Sequence, residues 1–257
     1  MDVKKRAKII TDWINNYCES SSYKPKALVV GISGGIDSSV VSTLCANTGR
    51  KTIVLTMPIK QIKSQHNLSL LHSQWLKNNY KNVEHHLLEM DKIFNSFSQV
   101  LSKFDHEHGY ANSRARLRMA SLYQVAAANK GIVVGTGNKV EDFGIGFYTK
   151  YGDGGVDLSP IADLMKTEVF ALGKTLGVCQ SILDAPPTDG LWNDNRTDED
   201  QIGATYPELE WAMTFEGEDN NLSQRQKEVL TIYRSFHQAN QHKMIPIPVC
   251  EIPKELK

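Results

Sequence analysis

A short segment near the N-terminus combines residue types that suit phosphate chemistry. Its eight residues are Gly31, Ile32, Ser33, Gly34, Gly35, Ile36, Asp37 and Ser38. Adjacent glycines let the backbone approach a ligand closely, and serine hydroxyls stand beside the N–H groups that a helix N-terminus leaves free. The segment follows an apolar run and precedes a helical pattern, so we expect an anion site here, and the expected anion is a phosphate.

The carboxylate of Asp37 sharpens this expectation. A Walker A loop would carry a lysine near this position, and a carboxylate beside phosphates repels them unless a cation lies between. Asp37 therefore favours Mg²⁺ held jointly by the carboxylate and phosphate oxygens. The alternative is that Asp37 only caps the helix. Within Ser-Gly-Gly-Ile-Asp-Ser after an apolar strand, the metal interpretation is preferred.

Alternating short apolar runs and helical patterns indicate the elements that position this loop. The predicted strands are residues 27–32, 52–57, 83–90 and 132–134. The predicted helices are residues 3–17, 61–79, 91–104, 112–129, 161–176, 208–215 and 223–242, with one more directly after the loop. Strands that alternate with helices predict an α/β fold, a doubly wound, Rossmann-like parallel sheet with helices on both faces.

We expect residues 1–257 to form a single domain with a C-terminal helical extension. The polar, proline-containing stretch at residues 184–203 is long enough to be a mobile loop over a site.

The charge balance excludes some partners. The chain of 257 residues has 29 Lys and Arg against 29 Asp and Glu. Proteins that neutralise nucleic-acid phosphates normally carry a basic excess, so nucleic acid is not the expected partner. No apolar stretch approaches the length of a membrane span, and residues 1–8 are charged, so we expect no membrane association and a cytoplasmic location.

The loop from Ser33 to Ser38 resembles the pyrophosphatase-type loop of ATP-dependent enzymes that cleave between the α and β phosphates. That motif alone leaves several families open. They include the synthetases of GMP, argininosuccinate and asparagine, tRNA-modifying sulfur transferases and lysidine synthetases.

Longer tracts are similar to the NAD synthetase family. They are residues 135–141, 147–157, 160–166 and 187–192, of which Thr-Lys-Tyr-Gly-Asp-Gly-Gly and Pro-Thr-Asp-Gly-Leu-Trp are the specific pieces. The resemblance runs from about residue 9 to 246. It implies amidation of deamido-NAD⁺ by ammonia, driven by ATP through an adenylated carboxylate, with release of AMP and pyrophosphate. It also implies Mg²⁺ as cofactor and a homodimer.

The resemblance also implies roles for individual residues. The ATP contacts are residues 31–38 with Thr136, Lys166 and Thr188, and the magnesium ligands are Asp37 and Glu141. The deamido-NAD⁺ contacts are Arg116, Lys150, Asp157, His242 and Lys243. Lys166 and Asp153 are the catalytic candidates, Asp153 as the residue that organises ammonia. Without the resemblance, Asp153 would be a turn residue and Glu141 a solvated helix residue.

One position departs from the family pattern, because Thr56 stands where small bacterial members often carry an arginine that contacts ATP. Glutamine-using relatives carry an additional N-terminal domain, whereas this chain reaches its first predicted strand by residue 27, so free ammonia is the expected nitrogen donor. A tRNA-modifying enzyme and a non-catalytic nucleotide sensor are the alternatives. Both expected substrates are anions, so the cationic groups must be local: Arg116, Lys150, Lys166, Lys243 and Mg²⁺.

Overall fold

The computed structural model describes residues 2–188, 190, 196–218 and 221–257. In these ranges four strands form one parallel sheet in the order β3-β2-β1-β4. The strands are β1 (Ala27–Gly31), β2 (Lys51–Thr56), β3 (Val83–Leu87) and β4 (Ile132–Val133). Strand β1 pairs with β2 on one side and with β4 on the other. The strand order reverses between β1 and β4, and such a reversal opens a crevice beyond the carboxyl ends of the strands.

Helices cover both faces of the sheet. Their bounds are α1 (Val3–Ser20), α2 (Ile36–Asn47), α3 (Lys63–Asn79), α4 (Asp91–Val100), α5 (Glu107–Ala128), α6 (Lys166–Leu176), α7 (Gln180–Leu183), α8 (Asp198–Ile202), α9 (Tyr206–Thr214) and α10 (Gln224–Met244). A π-helical turn covers Val140–Ile145, and 3-10 turns cover Ser102–Phe104 and Lys254–Leu256.

The side chains of β1 alternate between two buried layers. Leu28 and Val30 join an apolar cluster with residues of α1, α2 and α6. Val29 faces the opposite way, into a cluster with residues of α4 and α5. Both faces of the strand are therefore buried, which explains its continuous apolar sequence and confirms the doubly wound parallel sheet.

A third apolar cluster forms the C-terminal helical extension. It joins the π-helical turn to α8, α9 and α10, with Val140, Ile145 and Leu209 among its buried members. This extension packs beside the carboxyl edge of β4, because the π-helical turn follows that strand. The predicted extension is thus confirmed.

Helix α6 begins later than predicted. The sequence predicts a helix over residues 161–176, but residues 160–164 form turns and the helix begins at Lys166. Ile161 and Leu164 are buried in the core at a spacing that imitates a helix. The backbone N–H of Met165 donates to the Glu168 carboxylate over 2.9 Å, and this contact fixes the observed start.

Helix α5 begins five residues earlier than the predicted residue 112. The ring Nδ1 of His106 accepts a hydrogen bond from the N–H of Gly109 over 3.0 Å and caps the helix. Histidine is not among the usual capping residues, so the sequence did not suggest this start.

The predicted loop at residues 184–203 contains helix α8, whose N-terminus is capped by Thr197. Residues 189 and 191–195 of this predicted mobile loop lie outside the described residues. Among the helices that the structure describes, none is both long and apolar enough to cross a membrane.

Candidate active site

The glycine-rich loop turns from β1 into α2 at the crevice. Gly34 has a φ of +96°, and a Cβ there would lie 2.7 Å from the carbonyl oxygen of Gln65 in α3, so the position requires glycine. The Ser38 hydroxyl donates to the Gly35 carbonyl over 3.0 Å and lies 3.1 Å from the Ser33 hydroxyl. Helix α2 has no side-chain cap. Its first N–H groups therefore remain available to an anion.

Three charged side chains from distant parts of the chain meet beside this loop. Lys166 Nζ donates to Asp37 Oδ2 over 2.6 Å and to Glu141 Oε1 over 2.8 Å. Asp37 lies in the first turn of α2, Glu141 in the π-helical turn after β4, and Lys166 at the start of α6. The lysine side chain is 4% exposed and the two carboxylates are 16% and 17% exposed. The fold thus brings together both predicted metal ligands and the predicted catalytic lysine.

Lys166 and Glu141 keep their charges at neutral pH, whereas burial raises the pKa of Asp37 despite the nearby ammonium. Burial alone would lower the pKa of Lys166, but the charges and hydrogen bonds of Asp37 and Glu141 outweigh it and raise that pKa. Burial likewise opposes ionisation of Glu141, yet the ammonium of Lys166 and donated hydrogen bonds lower its pKa. The ammonium and this carboxylate therefore stabilise each other in a nearly dry environment.

Three further residues complete the cluster and were not predicted from the sequence. Buried Asn138 donates to Asp37 Oδ1 over 3.0 Å, and its side-chain oxygen accepts from the N–H of Glu141 over 3.1 Å. The Tyr206 hydroxyl donates to Glu141 Oε1 over 2.6 Å and lies 3.1 Å from Asp198 Oδ2. The position of Asn138 in the segment between β4 and the π-helical turn was the one available signal. Tyr206 and Asp198 reach the cluster from the C-terminal extension.

The residues predicted for the second substrate form a connected group nearby. Arg116 Nε donates to the Lys150 carbonyl over 3.2 Å, and Lys150 Nζ donates to the His242 carbonyl over 2.6 Å. Lys243 Nζ donates to the carbonyls of Gly146 and Tyr148, each over 2.8 Å. Helix α5, the tract after the π-helical turn and the end of α10 are joined here, so four of the five predicted contacts lie together.

A pocket with a cavity volume of about 140 Å³ opens at this junction. Its lining includes Gly137, Asp142, Tyr148, Asp153 and Lys243. A Cβ on Gly137 would lie 2.2 Å from both carboxylate oxygens of Asp142, so glycine is required for this close approach.

Both acidic residues of the pocket ionise less readily than usual. Burial, followed by the charges of Glu141, Asp153 and Asp37, raises the pKa of Asp142 to about 8. Solvent reaches part of the Asp153 side chain, but many protein atoms lie around its carboxylate. This partial desolvation is the first cause of its raised pKa. Asp153 Oδ1 accepts from the N–H of Thr149 over 3.0 Å, as its interpretation as a turn residue required. Asp153 therefore both stabilises the turn and lines the pocket.

The remaining predicted residues, Thr136, Thr188 and Asp157, make contacts outside the charged cluster. Thr136 follows β4 at the carboxyl edge of the sheet. The Thr188 hydroxyl lies 3.5 Å from Nε2 of Gln65, the residue that packs against Gly34. Asp157 accepts from the Tyr123 hydroxyl over 3.0 Å and from the Val133 N–H over 2.8 Å. Both Asp157 oxygens thus already have partners within the chain, and its substrate contact stays a prediction.

The sheet order, the loop at its switch point and the charged cluster beside that loop define a nucleotide-binding α/β protein. Residues 6–246 match the NAD synthase family. An NH₃-dependent NAD⁺ synthetase of Alkaliphilus metalliredigens is 35% identical over 259 residues, which cover 98% of this chain and 100% of that relative. The chain therefore belongs to the NAD synthase family.

Solved structures agree with this assignment. The structure of NMN synthetase from Francisella tularensis superposes with a TM-score of 0.85 at 31% identity, covering 99% of both chains. The NH₃-dependent NAD synthetase from Campylobacter jejuni superposes with a TM-score of 0.78 at 27% identity, covering 98% of this chain and 100% of that one. The predicted fold and family are confirmed.

Replacing Lys166 by methionine should lower the free energy of unfolding by about 3 kcal/mol at neutral pH, because two nearly buried carboxylates lose a shared ammonium. Without it, burial raises the folded-state pKa of both carboxyls. The deficit should therefore be small in acid and grow as the pH rises through those pKa values. Urea unfolding at acidic and neutral pH measures both effects.

Lys139→Met is the matched control, because Lys139 pairs with the exposed Asp163. It should cost less than about 1 kcal/mol. Equal losses in the two variants, or a Lys166→Met deficit that does not change with pH, would contradict the proposed charge pairing.

Proposed function

We propose that the protein is an ammonia-dependent NAD synthetase, a ligase that forms the C–N bond of the NAD⁺ amide from deamido-NAD⁺, ATP and ammonia. The observation that carries the proposal is the Asp37–Lys166–Glu141 cluster beside a glycine-rich loop. The Alkaliphilus metalliredigens relative, which covers 98% of this chain, is named for the same reaction.

The chemistry has two steps. A carboxylate oxygen of the nicotinate ring attacks the α-phosphorus of ATP, and pyrophosphate leaves. Ammonia then attacks the carbonyl carbon of the adenylate and loses a proton as AMP departs. The free N–H groups at the start of α2 would bind phosphate oxygens, with Thr136 and Thr188 as further ATP contacts.

Asp37 and Glu141 fit a magnesium site. Their carboxylates lie side by side next to the glycine-rich loop, each contacting Lys166 Nζ through one oxygen, and carboxylate oxygens are the ligands that Mg²⁺ prefers. Among the described residues, no group of three or more His, Cys, Asp and Glu side chains converges. Two carboxylates suffice, since Mg²⁺ also takes water and phosphate oxygens. When bound, Mg²⁺ would offset the charge of the departing pyrophosphate.

Lys166 would act on the phosphates from its position between the two carboxylates. Its ammonium offsets the negative charge of the carboxylate pair, and a buried cation next to the loop can stabilise charge that develops on departing phosphate oxygens. Lys166 does not act as a base in the reaction, because its raised pKa keeps its amine protonated.

The second substrate would extend from the pocket toward α10. Arg116, Lys150, His242 and Lys243 supply cations and donors for its phosphates, and Asp157 is a further proposed contact. Asp153, which lines the pocket, is proposed to hold the ammonia nucleophile.

We further propose that the enzyme is cytoplasmic, binds no nucleic acid and works as a homodimer. Support for the dimer comes from exposed apolar side chains of α1, among them Ile9, Trp13 and Tyr17, which share one face of that helix.

A second candidate function is amidation of the mononucleotide counterpart, which would yield NMN. The TM-score of 0.85 with the Francisella tularensis protein, which is named NMN synthetase, supports this second candidate. The same cluster and pocket would serve either acceptor, because both carry a nicotinate carboxylate.

The direct test supplies ATP, Mg²⁺ and ammonium with either deamido-NAD⁺ or nicotinate mononucleotide and measures products by mass spectrometry. We expect NAD⁺ and AMP in equal amounts, with the larger kcat/KM for deamido-NAD⁺ and no amide without ammonium. A larger kcat/KM for the mononucleotide would establish the second candidate. AMP formed only with a purine nucleotide or tRNA acceptor would refute both.

Asp153→Asn should slow amide formation about a hundredfold, within the range of acid–base contributions. Pyrophosphate release should change far less, since the variant keeps an oxygen that can accept from Thr149. Rapid-quench measurement of both products separates the steps. Asp163→Asn, at an exposed residue, is the control. Equal slowing of both steps in Asp153→Asn would contradict the proposed role.

A further inference from the structure

Arg118 reaches the carboxyl edge of the sheet from α5. Its Nε donates to the carbonyl of Met57, just beyond the end of β2, over 2.9 Å. One turn further along α5, Leu122 lies 3.6 Å from the point where a side chain on Gly31 would begin, and Met57 lies 3.5 Å from that point. The guanidinium is therefore anchored at the strand ends from which the glycine-rich loop departs.

The charge of Arg118 is not balanced by a carboxylate. Among residues 2–188, 190, 196–218 and 221–257, no Asp or Glu forms an ion pair with it. Arg50 and Arg225, by contrast, pair with Glu19 and Glu208. Burial, followed by the charge of Arg114, lowers the pKa of Arg118 to about 10, which leaves it cationic at neutral pH. A cation that is largely surrounded by protein is costly without an anion beside it.

The geometry of the guanidinium suits a bound anion. Its Nε is already occupied by the Met57 carbonyl, which fixes the plane of the group. The two Nη groups then present donors in a fixed direction, and a planar fork of this kind matches phosphate oxygens. On the same helix, Ala115 and Met119 pack against Gly152 and Gly155, which flank Asp153 of the pocket, and the charge of Asp153 acts on Arg118.

We propose that Arg118 is a further catalytic residue, whose Nη groups bind the α-phosphate of ATP as the carboxylate attacks it. The proposal rests on the proposed function, because the α-phosphate must lie between the loop, which holds the other phosphates, and the pocket, which holds the carboxylate. Arg118 lies on α5 between Leu122, which packs near Gly31 of the loop, and Ala115, which packs near Gly152 of the pocket tract, so its donors would stabilise negative charge that grows on the phosphate oxygens.

Arg118→Gln tests the proposal, since glutamine keeps an N–H donor for Met57 but removes the charge and the fork. We expect pyrophosphate release to slow about a hundredfold, as on removal of one preorganised donor, with little change in the KM for deamido-NAD⁺. Affinity for ATP, measured by calorimetry without the second substrate, should fall about tenfold. Arg50→Gln is the matched control and should leave both quantities unchanged.

Two further measurements separate this role from a structural one. Arg118→Ala should regain part of its activity when guanidinium ions are added at concentrations that leave the control unaffected. Arg118→Lys should retain more activity than Arg118→Gln, because it keeps the charge. Unchanged ATP affinity and pyrophosphate release in Arg118→Gln would overturn the proposal, as would a raised KM for deamido-NAD⁺ with unchanged kcat. If the wild-type protein binds ATP but forms no amide, the proposed function fails, and the ATP affinity of Arg118→Gln decides the proposal for Arg118.

Discussion

The ammonium group of Lys166, shared by Asp37 and Glu141, is the interaction on which the rest of the site depends. It joins the first turn of α2, the π-helical turn after β4 and the start of α6, which pack around the carboxyl edge of the sheet. Two carboxylates this close would repel each other and tend to protonate in a nearly dry environment. With the lysine between them, Glu141 stays ionised next to a glycine-rich loop whose free N–H groups can bind phosphate. The proposed site can then take a divalent cation.

The same constraint explains why the C-terminal extension belongs to the site. Tyr206 reaches Glu141 from α9, and its ring lies 4.7 Å from Lys166 Nζ, so the extension buries the cluster as well as bonding to it. Helix α10 supplies Lys243 to the lining of the pocket. Glu141 of the cluster and Asp142 of the pocket are adjacent in the chain, so the proposed groups for the two substrates are neighbours, which suits a reaction that joins a carboxylate to a phosphate.

The sequence predicted the parts that depend on local pattern. Strand β1, the loop and α2 follow from an apolar run, paired glycines and a helical pattern, and parallel topology then brings Thr136 to the same edge as Asp37. Partners that depend on packing were missed. Nothing near Tyr206 or Asp198 in the sequence indicates Glu141 as their neighbour, and the start of α6 was misplaced because buried turn residues imitate helical spacing.

Charge was the least predictable property. The sequence predicts a positive cleft on a balanced surface, and Arg116, Lys150 and Lys243 do lie together. Lys166, however, is neutralised by its carboxylate partners, so it adds no net positive charge to the cleft. The carboxyl groups of Asp142 and Asp153 line the pocket beside Lys243, and the raised pKa of Asp142 keeps it largely uncharged at neutral pH. Burial of individual carboxylates is decided by tertiary packing, which composition does not record.

Binding of Mn²⁺ in place of Mg²⁺, followed by electron paramagnetic resonance in the presence of ATP, tests the central claim most directly. Replacement of Glu141 by glutamine removes one proposed ligand charge with almost no change of shape, and Glu84→Gln, at an exposed residue, is its control. We expect Glu141→Gln to weaken Mn²⁺ binding at least about tenfold, equivalent to about 1.4 kcal/mol, and the control to leave it unchanged. Equal Mn²⁺ affinity in the wild-type protein and both variants would contradict a metal site at Asp37 and Glu141.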